Sequence, residues 1–277
     1  MTRILALAFL TLWLVNLSAC QQEEANTMTS SAATDIKTEQ IEYEANGVKL
    51  NGYISWDANQ TGPRPGVLVV HEWWGQTDYI RLRARMLAGL GYTGFAVDMY
   101  GNGKTASHPD EAGKFMTEIL NNMDEGAARF EAARTALKSH ASADASKTAA
   151  IGYCFGGAVV LEMARRGMDL KGVASFHGNL STQTKVEPGS IKAKILVLHG
   201  DDDVLIPQEQ VDAFKSEMLN ARAEMKFLGY PGALHGFTNP AATENGKRYG
   251  LPLAYNKSVD KESWNELKQF LGEIFSD

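Results

Sequence analysis

The sequence predicts an α/β domain, with a mostly parallel central sheet and helices on both faces. Three observations carry this. Short β-branched runs alternate with longer stretches of helical spacing. The runs at 67–70 and 195–198 are apolar at every position, as strands buried on both faces are. The 277 residues, 44% of them hydrophobic, are enough for one large core, and no internal repeat divides them.

Taken in order, strands are expected at 48–56, 66–71, 93–98, 148–153, 172–176, 194–199 and 224–228. Helices are expected at 78–90, 125–139, 156–166, 207–219 and 263–275. In the first helix Ile80, Leu82, Met86, Leu87 and Leu90 recur at mixed three- and four-residue steps. Pro207 suits a first helical turn, where its missing N–H has no intrahelical partner. Residues 240–261 are polar and without period, and read as a long surface excursion. In such sheets the active site lies beyond the carboxyl ends of the strands. Attention therefore falls just after His71, Asp98, Tyr153, Phe176, His199 and Leu228.

A formal net charge of -6 with no basic run argues against a nucleic-acid partner. Cys20 and Cys154 are far apart and indicate no disulfide framework. Arg3 precedes an apolar run at 4–17, which is short for a membrane span and ends in Leu17-Ser18-Ala19-Cys20. This resembles a bacterial lipoprotein signal. The resemblance implies cleavage before Cys20, acylation of Cys20 and attachment to a membrane through that lipid. Gln21 in place of Asp implies, in a Gram-negative cell, the periplasmic side of the outer membrane. The stretch 21–37, rich in Ser, Thr, Ala, Asn and Gln, reads as a flexible tether. The expected organisation is a signal at 1–19, a tether at 20–38 and a folded domain at 39–277.

After the run 148–153 comes Gly152-Tyr153-Cys154-Phe155-Gly156-Gly157. This is the pattern of a nucleophile elbow with Cys in place of Ser. So tight a turn strains the nucleophile's backbone and leaves no room for side chains at Gly152 and Gly156. Gly157 lets the next helix approach the sheet. The turn would set the Cys154 sulfur at a helix N-terminus, which favours thiolate. A cysteine among glycines can also be a small buried hydrophobe. The strand-turn-helix context favours the nucleophile, and no Gly-x-Ser-x-Gly competes with it.

A histidine base should follow the nucleophile and an acid in the chain. Among six histidines, His71, His108 and His140 precede Cys154, while His177 and His199 precede any suitable acidic turn. His235 follows the last strand, in a loop flanked by Gly232 and Gly236. The acid is expected after the strand 194–199, where Asp201, Asp202 and Asp203 all stand.

Together these residues resemble the dienelactone hydrolase family of α/β-hydrolases. That family has an elbow of form Gly-x-Cys-x-Gly-Gly, an acid in Asp-x-x-Val/Ile-Pro and a histidine in His-Gly/Ser-Phe. Here the motifs read Gly152 to Gly157, Asp203 to Pro207 and His235 to Phe237, over a resemblance running from about Glu39 onward. The resemblance selects Asp203 as the acid and implies an α/β-hydrolase fold. It implies that Glu72, in His71-Glu72-Trp73-Trp74-Gly75, promotes the Cys154 thiolate. It further implies an oxyanion hole from the backbone N–H groups of Phe155 and Trp73, and places Tyr100 near substrate. Trp74 is a candidate pocket wall.

Relatives that hydrolyse dienelactone itself grip its carboxylate with two arginines. The corresponding stretches here contain Asn102 and Asn239, and Lys104 is no bidentate fork. The expected substrate is thus a neutral or differently shaped small ester, lactone or thioester, cleaved through a Cys154 thioacyl intermediate. No metal or organic cofactor is expected, since His71-Glu72 lacks the second histidine of a His-Glu-x-x-His site. The alternatives are a thiol-dependent peptidase or transacylase, and a non-catalytic binding lipoprotein on a hydrolase fold.

Overall fold

The computed structural model describes residues 34–276. The proposed signal, Cys20 and most of the proposed tether lie outside the described residues.

The sheet opens with a hairpin of β1 (Ile36–Ala45) and β2 (Val48–Asp57). Asn46 and Gly47 both have positive φ, 49° and 78°, as a two-residue turn matched to strand twist requires. Regular structure thus begins at Ile36, ahead of the expected boundary at Glu39. Then follow β3 (Arg64–Val70), α1 (Asp78–Gly89), β4 (Thr93–Ala96), α2 (Pro109–Leu120) and α3 (Met123–Ser139). β5 (Ala143–Tyr153), α4 (Phe155–Arg165), β6 (Gly172–Phe176), β7 (Lys194–Gly200), α5 (Gln208–Asn220) and β8 (Met225–Tyr230) continue the alternation. The chain ends in α6 (Ala242–Tyr249) and α7 (Lys257–Ser276).

These form an eight-stranded sheet in the order β1-β2-β4-β3-β5-β6-β7-β8. β1 and β2 pair antiparallel, β2 meets β4 antiparallel, and every pairing from β4 to β8 is parallel. The period of two divides each strand between two cores. Leu68 and Val70 face one core with Phe130 and Leu137 of α3, Val160 of α4 and Phe214 of α5. Val67 and Val69 face the other with Ile80 and Leu87 of α1 and Leu267, Phe270 and Leu271 of α7. All four strand residues are fully buried, which is why this run lacks any polar position.

Two helices depart from the sequence expectation. α2 starts at Pro109, and the His108 ring accepts from the Asp110 N–H. α6 lies inside 240–261, which is no free excursion. The Gly246 Cα is pressed so close to Leu253 that an added Cβ would sit 2.4 Å from the Leu253 oxygen. None of the described helices is long and apolar enough to cross a membrane.

Candidate active site

The strands β3, β5, β7 and β8 all deliver their following loops to one end of the sheet. β5 ends at Tyr153, Cys154 makes the turn, and α4 starts at Phe155. Cys154 has φ 53° and ψ -115°, a conformation disfavoured for any residue with a Cβ. The turn holds because its neighbours leave no alternative. A Cβ on Gly152 would lie 2.0 Å from the Gly156 oxygen, and one on Gly156 2.3 Å from the Val70 oxygen. One on Gly157 would lie 2.8 Å from the Gly178 Cα, so all three glycines have the roles expected of them. The Cys154 N–H donates to the Phe176 carbonyl at 3.0 Å, tying the turn to β6.

His235 enters from the loop after β8. Its Nδ1 donates to Asp203 Oδ2 at 2.7 Å, and Asp203 Oδ1 accepts the Leu205 N–H at 2.9 Å. Asp201 and Asp202 are exposed, whereas Asp203, the acid expected from the motif offset, is buried against His235. With Nδ1 committed to Asp203, Nε2 remains for Cys154, whose charge acts on the ring. Burial opposes the His235 imidazolium. The Cys154 charge and the Asp203 hydrogen bond outweigh it and hold the ring well above its ordinary value. The His235 carbonyl accepts the Ala254 N–H at 3.1 Å, so the segment between α6 and α7 braces this loop.

Glu72 is buried at the end of β3, and its Oε2 accepts from Asn239 Nδ2 at 2.5 Å. Burial pushes this carboxyl up to about 7, against the lowering influence of Asn239, His235 and Arg83. Asn239 therefore caps Glu72 rather than standing free. Its Oδ1 accepts the Ala241 N–H at 2.9 Å, which orients the amide with its NH2 toward Glu72. Asn102 is exposed in a left-handed turn, φ 55°, with its N–H on the Lys49 carbonyl, and it does not join the cluster.

Tyr100 is buried, and its hydroxyl donates to the Trp73 carbonyl at 3.0 Å. Burial, and then the Cys154 charge, keep that phenol neutral and a donor. Its ring packs against His71 at 4.6 Å and Phe155 at 5.6 Å, so ring and hydroxyl together touch both proposed oxyanion residues, Phe155 and Trp73. Trp73 and Trp74 meet edge to face at 5.0 Å. Trp74, Asn239, Ser107, Arg248 and Tyr249 line a cavity of ≈ 410 Å³ that reaches Glu72's partner from outside. α6 supplies Arg248 and Tyr249, a wall that the sequence reading of 240–261 did not contain.

His71 was set aside by chain order, yet it has a supporting place. Its Nδ1 donates to the Glu72 carbonyl at 2.5 Å while Nε2 accepts the Met99 N–H at 3.3 Å. Burial lowers this histidine to about 4, so it stays neutral and locks the Glu72 peptide. Its place directly before Glu72 was the available signal.

With this geometry in hand, the chain can be compared with known proteins. Residues 50–275 match the dienelactone hydrolase family. The chain belongs to that family. A "Protein usf" of Aquifex pyrophilus is 30% identical over 240 residues, covering 85% of this chain and 98% of that protein. A protein of Aquifex aeolicus (strain VF5) named "Putative carboxymethylenebutenolidase" is 30% identical over 203 residues, covering 72% of this chain and 86% of that one. Among solved structures, a dienelactone hydrolase-like promiscuous phosphotriesterase from metagenomic libraries superposes with a TM-score of 0.79. It is 32% identical and covers 86% of this chain and 98% of its own. This dienelactone hydrolase-family member is thus a hydrolase acting on ester bonds, on an α/β fold.

Proposed function

We propose that this hydrolase cleaves a neutral carboxylic ester or lactone through a thioacyl intermediate on Cys154. One observation carries the reading: His235, oriented by Asp203 at 2.7 Å, is turned toward a cysteine held in a strained elbow at a helix N-terminus. In this mechanism the Cys154 thiolate adds to the substrate carbonyl and the carbonyl electrons move onto oxygen. The Phe155 and Trp73 N–H groups stabilise that oxyanion, an effect typically worth about 3 to 4 kcal/mol per donor. The first N–H groups of a helix have no intrahelical acceptor, which leaves that of Phe155 for the task. Collapse expels the alcohol, protonated by His235. Water, deprotonated by His235, then attacks the thioester and releases acid and Cys154. Glu72, a buried carboxyl with a titration near neutrality, is the proposed promoter of the thiolate.

The preference for a neutral substrate rests on Asn239 and Asn102. Both are neutral amides, Asn239 engaged with Glu72 and Asn102 exposed, so neither stands in for the arginines that grip a substrate carboxylate.

The test is hydrolysis of short chromogenic esters, neutral and anionic, by the protein and by Cys154→Ala. Neutral esters should be cleaved, Cys154→Ala should be inactive, and iodoacetamide should inactivate the parent with time. Equal rates from parent and variant would overturn the thioacyl reading. A neutral aryl phosphotriester belongs in the same panel, because the metagenomic relative is called a promiscuous phosphotriesterase.

We also propose that Cys20 is lipidated and holds the exported enzyme at a membrane. Intact mass from membranes should exceed that of the polypeptide by acyl chains, and Cys20→Ser should abolish the increment. An unmodified Cys20 in the membrane fraction would sink this.

A further inference from the structure

Behind the loop that carries His235 and Asn239 lies a buried ion pair that the chemistry above does not use. Arg83 of α1 is 4% exposed. Its Nη2 donates to Asp260 Oδ1 of α7 at 2.5 Å and to the Thr238 carbonyl at 2.9 Å. The guanidinium also lies 5.2 Å from the Tyr79 ring, 5.4 Å from Tyr153 and 5.2 Å from Trp264. A side chain wrapped so completely is placed with little freedom.

The cation also orders a chain of hydroxyls. Arg83 Nε donates to the Tyr79 oxygen at 3.3 Å, since guanidinium has no acceptor. Tyr79 then donates to Thr238 Oγ1 at 2.7 Å. Thr238 Oγ1 is also hydrogen-bonded to His177 Nε2, 2.8 Å away. Burial keeps His177 far below its ordinary value, so its ring is neutral, and it stands 5.2 Å from that of His235. The chain thus joins Arg83 to Thr238 in the 235–239 loop and continues to His177.

The Thr238 carbonyl belongs to the peptide bond whose N–H is that of Asn239. A guanidinium gripping that oxygen fixes the plane from which the Asn239 side chain departs. Asn239 in turn has both amide ends engaged, one on Ala241 and one on Glu72. We propose that Arg83 is a positioning residue for the active site, clamping the Thr238–Asn239 peptide so that the Asn239 amide is held on Glu72. This rests on the reading of Glu72 as the group that promotes the Cys154 thiolate.

The charged and titratable groups around Glu72 are few. Arg83 and Tyr79 come from α1, Tyr153 from β5, and His235 from the loop after β8, while Asp260 of α7 balances Arg83. This arrangement makes opposite predictions for the two members of the ion pair. Removing the cation withdraws the clamp and a stabilising charge from the ionised site. Removing Asp260 alone leaves the cation less balanced.

The readout is the rate of Cys154 alkylation by iodoacetamide against pH, followed on the Cys154 peptide by mass spectrometry so that Cys20 does not contribute. Alkylation needs no turnover. Absence of ester hydrolysis would therefore sink the proposed function without touching this result. Arg83→Met should move the midpoint alkaline by about half a unit, slowing alkylation below the midpoint roughly threefold. Asp260→Asn should move it in the acid direction, and Arg83→Lys should restore it part-way. Folded Arg83→Met and Asp260→Asn proteins whose midpoints both stay at the parent value, or both shift the same way, would overturn the proposal. If Arg83→Met does not fold, Arg83→Lys decides: it keeps the charge but loses the fork, so a midpoint alkaline of the parent supports the clamp and one at the parent value overturns it.

Discussion

A carboxyl buried beneath a neutral amide is costly only when it is ionised, and Glu72 is such a group. Its folded value of about 7 lies above the ordinary 4.5, so the native state binds its proton more tightly than the unfolded chain. The resulting penalty is absent below the unfolded value, grows with pH, and is complete above the folded value, at about 3 kcal/mol. Glu72→Gln should therefore raise the melting temperature more at pH 8 than at pH 5, and equal gains at both would show that the charge is not the cause. The same residue should give kcat/KM a limb that rises through about pH 7 and flattens in Glu72→Gln. Asp203 acts differently, because it holds the His235 ring at 2.7 Å. Asp203→Asn should lower kcat by a factor on the order of 10³–10⁴ with KM little changed. Retention of most of the activity would remove Asp203 from the mechanism.

At the scale of elements, the junction of β5 and α4 depends on glycine for reasons of space. A Cβ at Gly156 would meet the Val70 backbone, which belongs to a central strand and has nowhere to go. Gly113 in α2 meets nothing within 4 Å. Gly156→Ala should therefore abolish folded, soluble protein or lower its melting temperature sharply. Gly113→Ala should stabilise by about 0.5–1 kcal/mol through helix propensity. Thermal melts of the two variants check the contrast, and a tolerated Gly156→Ala would contradict the close approach. Legibility differed among the elements for physical reasons. The strands buried on both faces were plain because every position is apolar. β1 was missed although Ile41, Tyr43 and Ala45 alternate with charges and Asn46-Gly47 marks the turn, because that edge strand is mostly exposed and polar. α2 carried a signal in Pro109, Asp110 and Glu111, which suit a first turn. α6 carried almost none, since of its residues only Ala242 and Gly246 are buried and it is held by tertiary contacts.

At the largest scale, the described residues are held by two cores, one on each side of the sheet. Leu68 is fully buried between β4 and β5 and faces the α3 and α4 side. Leu68→Ala should cost about 2–5 kcal/mol, visible as a lower denaturant midpoint. Leu219, at 78% exposure, should tolerate alanine within about 0.5 kcal/mol. Similar losses at both positions would mean that the stability does not reside in these cores. The sheet also serves the site, because parallel strands bring residues as distant in sequence as Glu72, Cys154, Asp203 and His235 to one end of it.

Local chemistry was determined by the sequence itself. The fully apolar strands and the glycine-flanked Cys154 follow from short-range sterics and strand periodicity, so they could be read from neighbouring residues, whereas the choice of Asp203 and His235 came from the chain order and motifs of the family resemblance. Only the tertiary structure decided the partners. That Asp203 is buried while Asp201 and Asp202 are not, that Asn239 holds Glu72 while Asn102 stays exposed, and that Arg83 reaches the Thr238 carbonyl all depend on side chains meeting across the fold. Arg83 and Asp260 are 177 positions apart, and no local pattern encodes such a meeting.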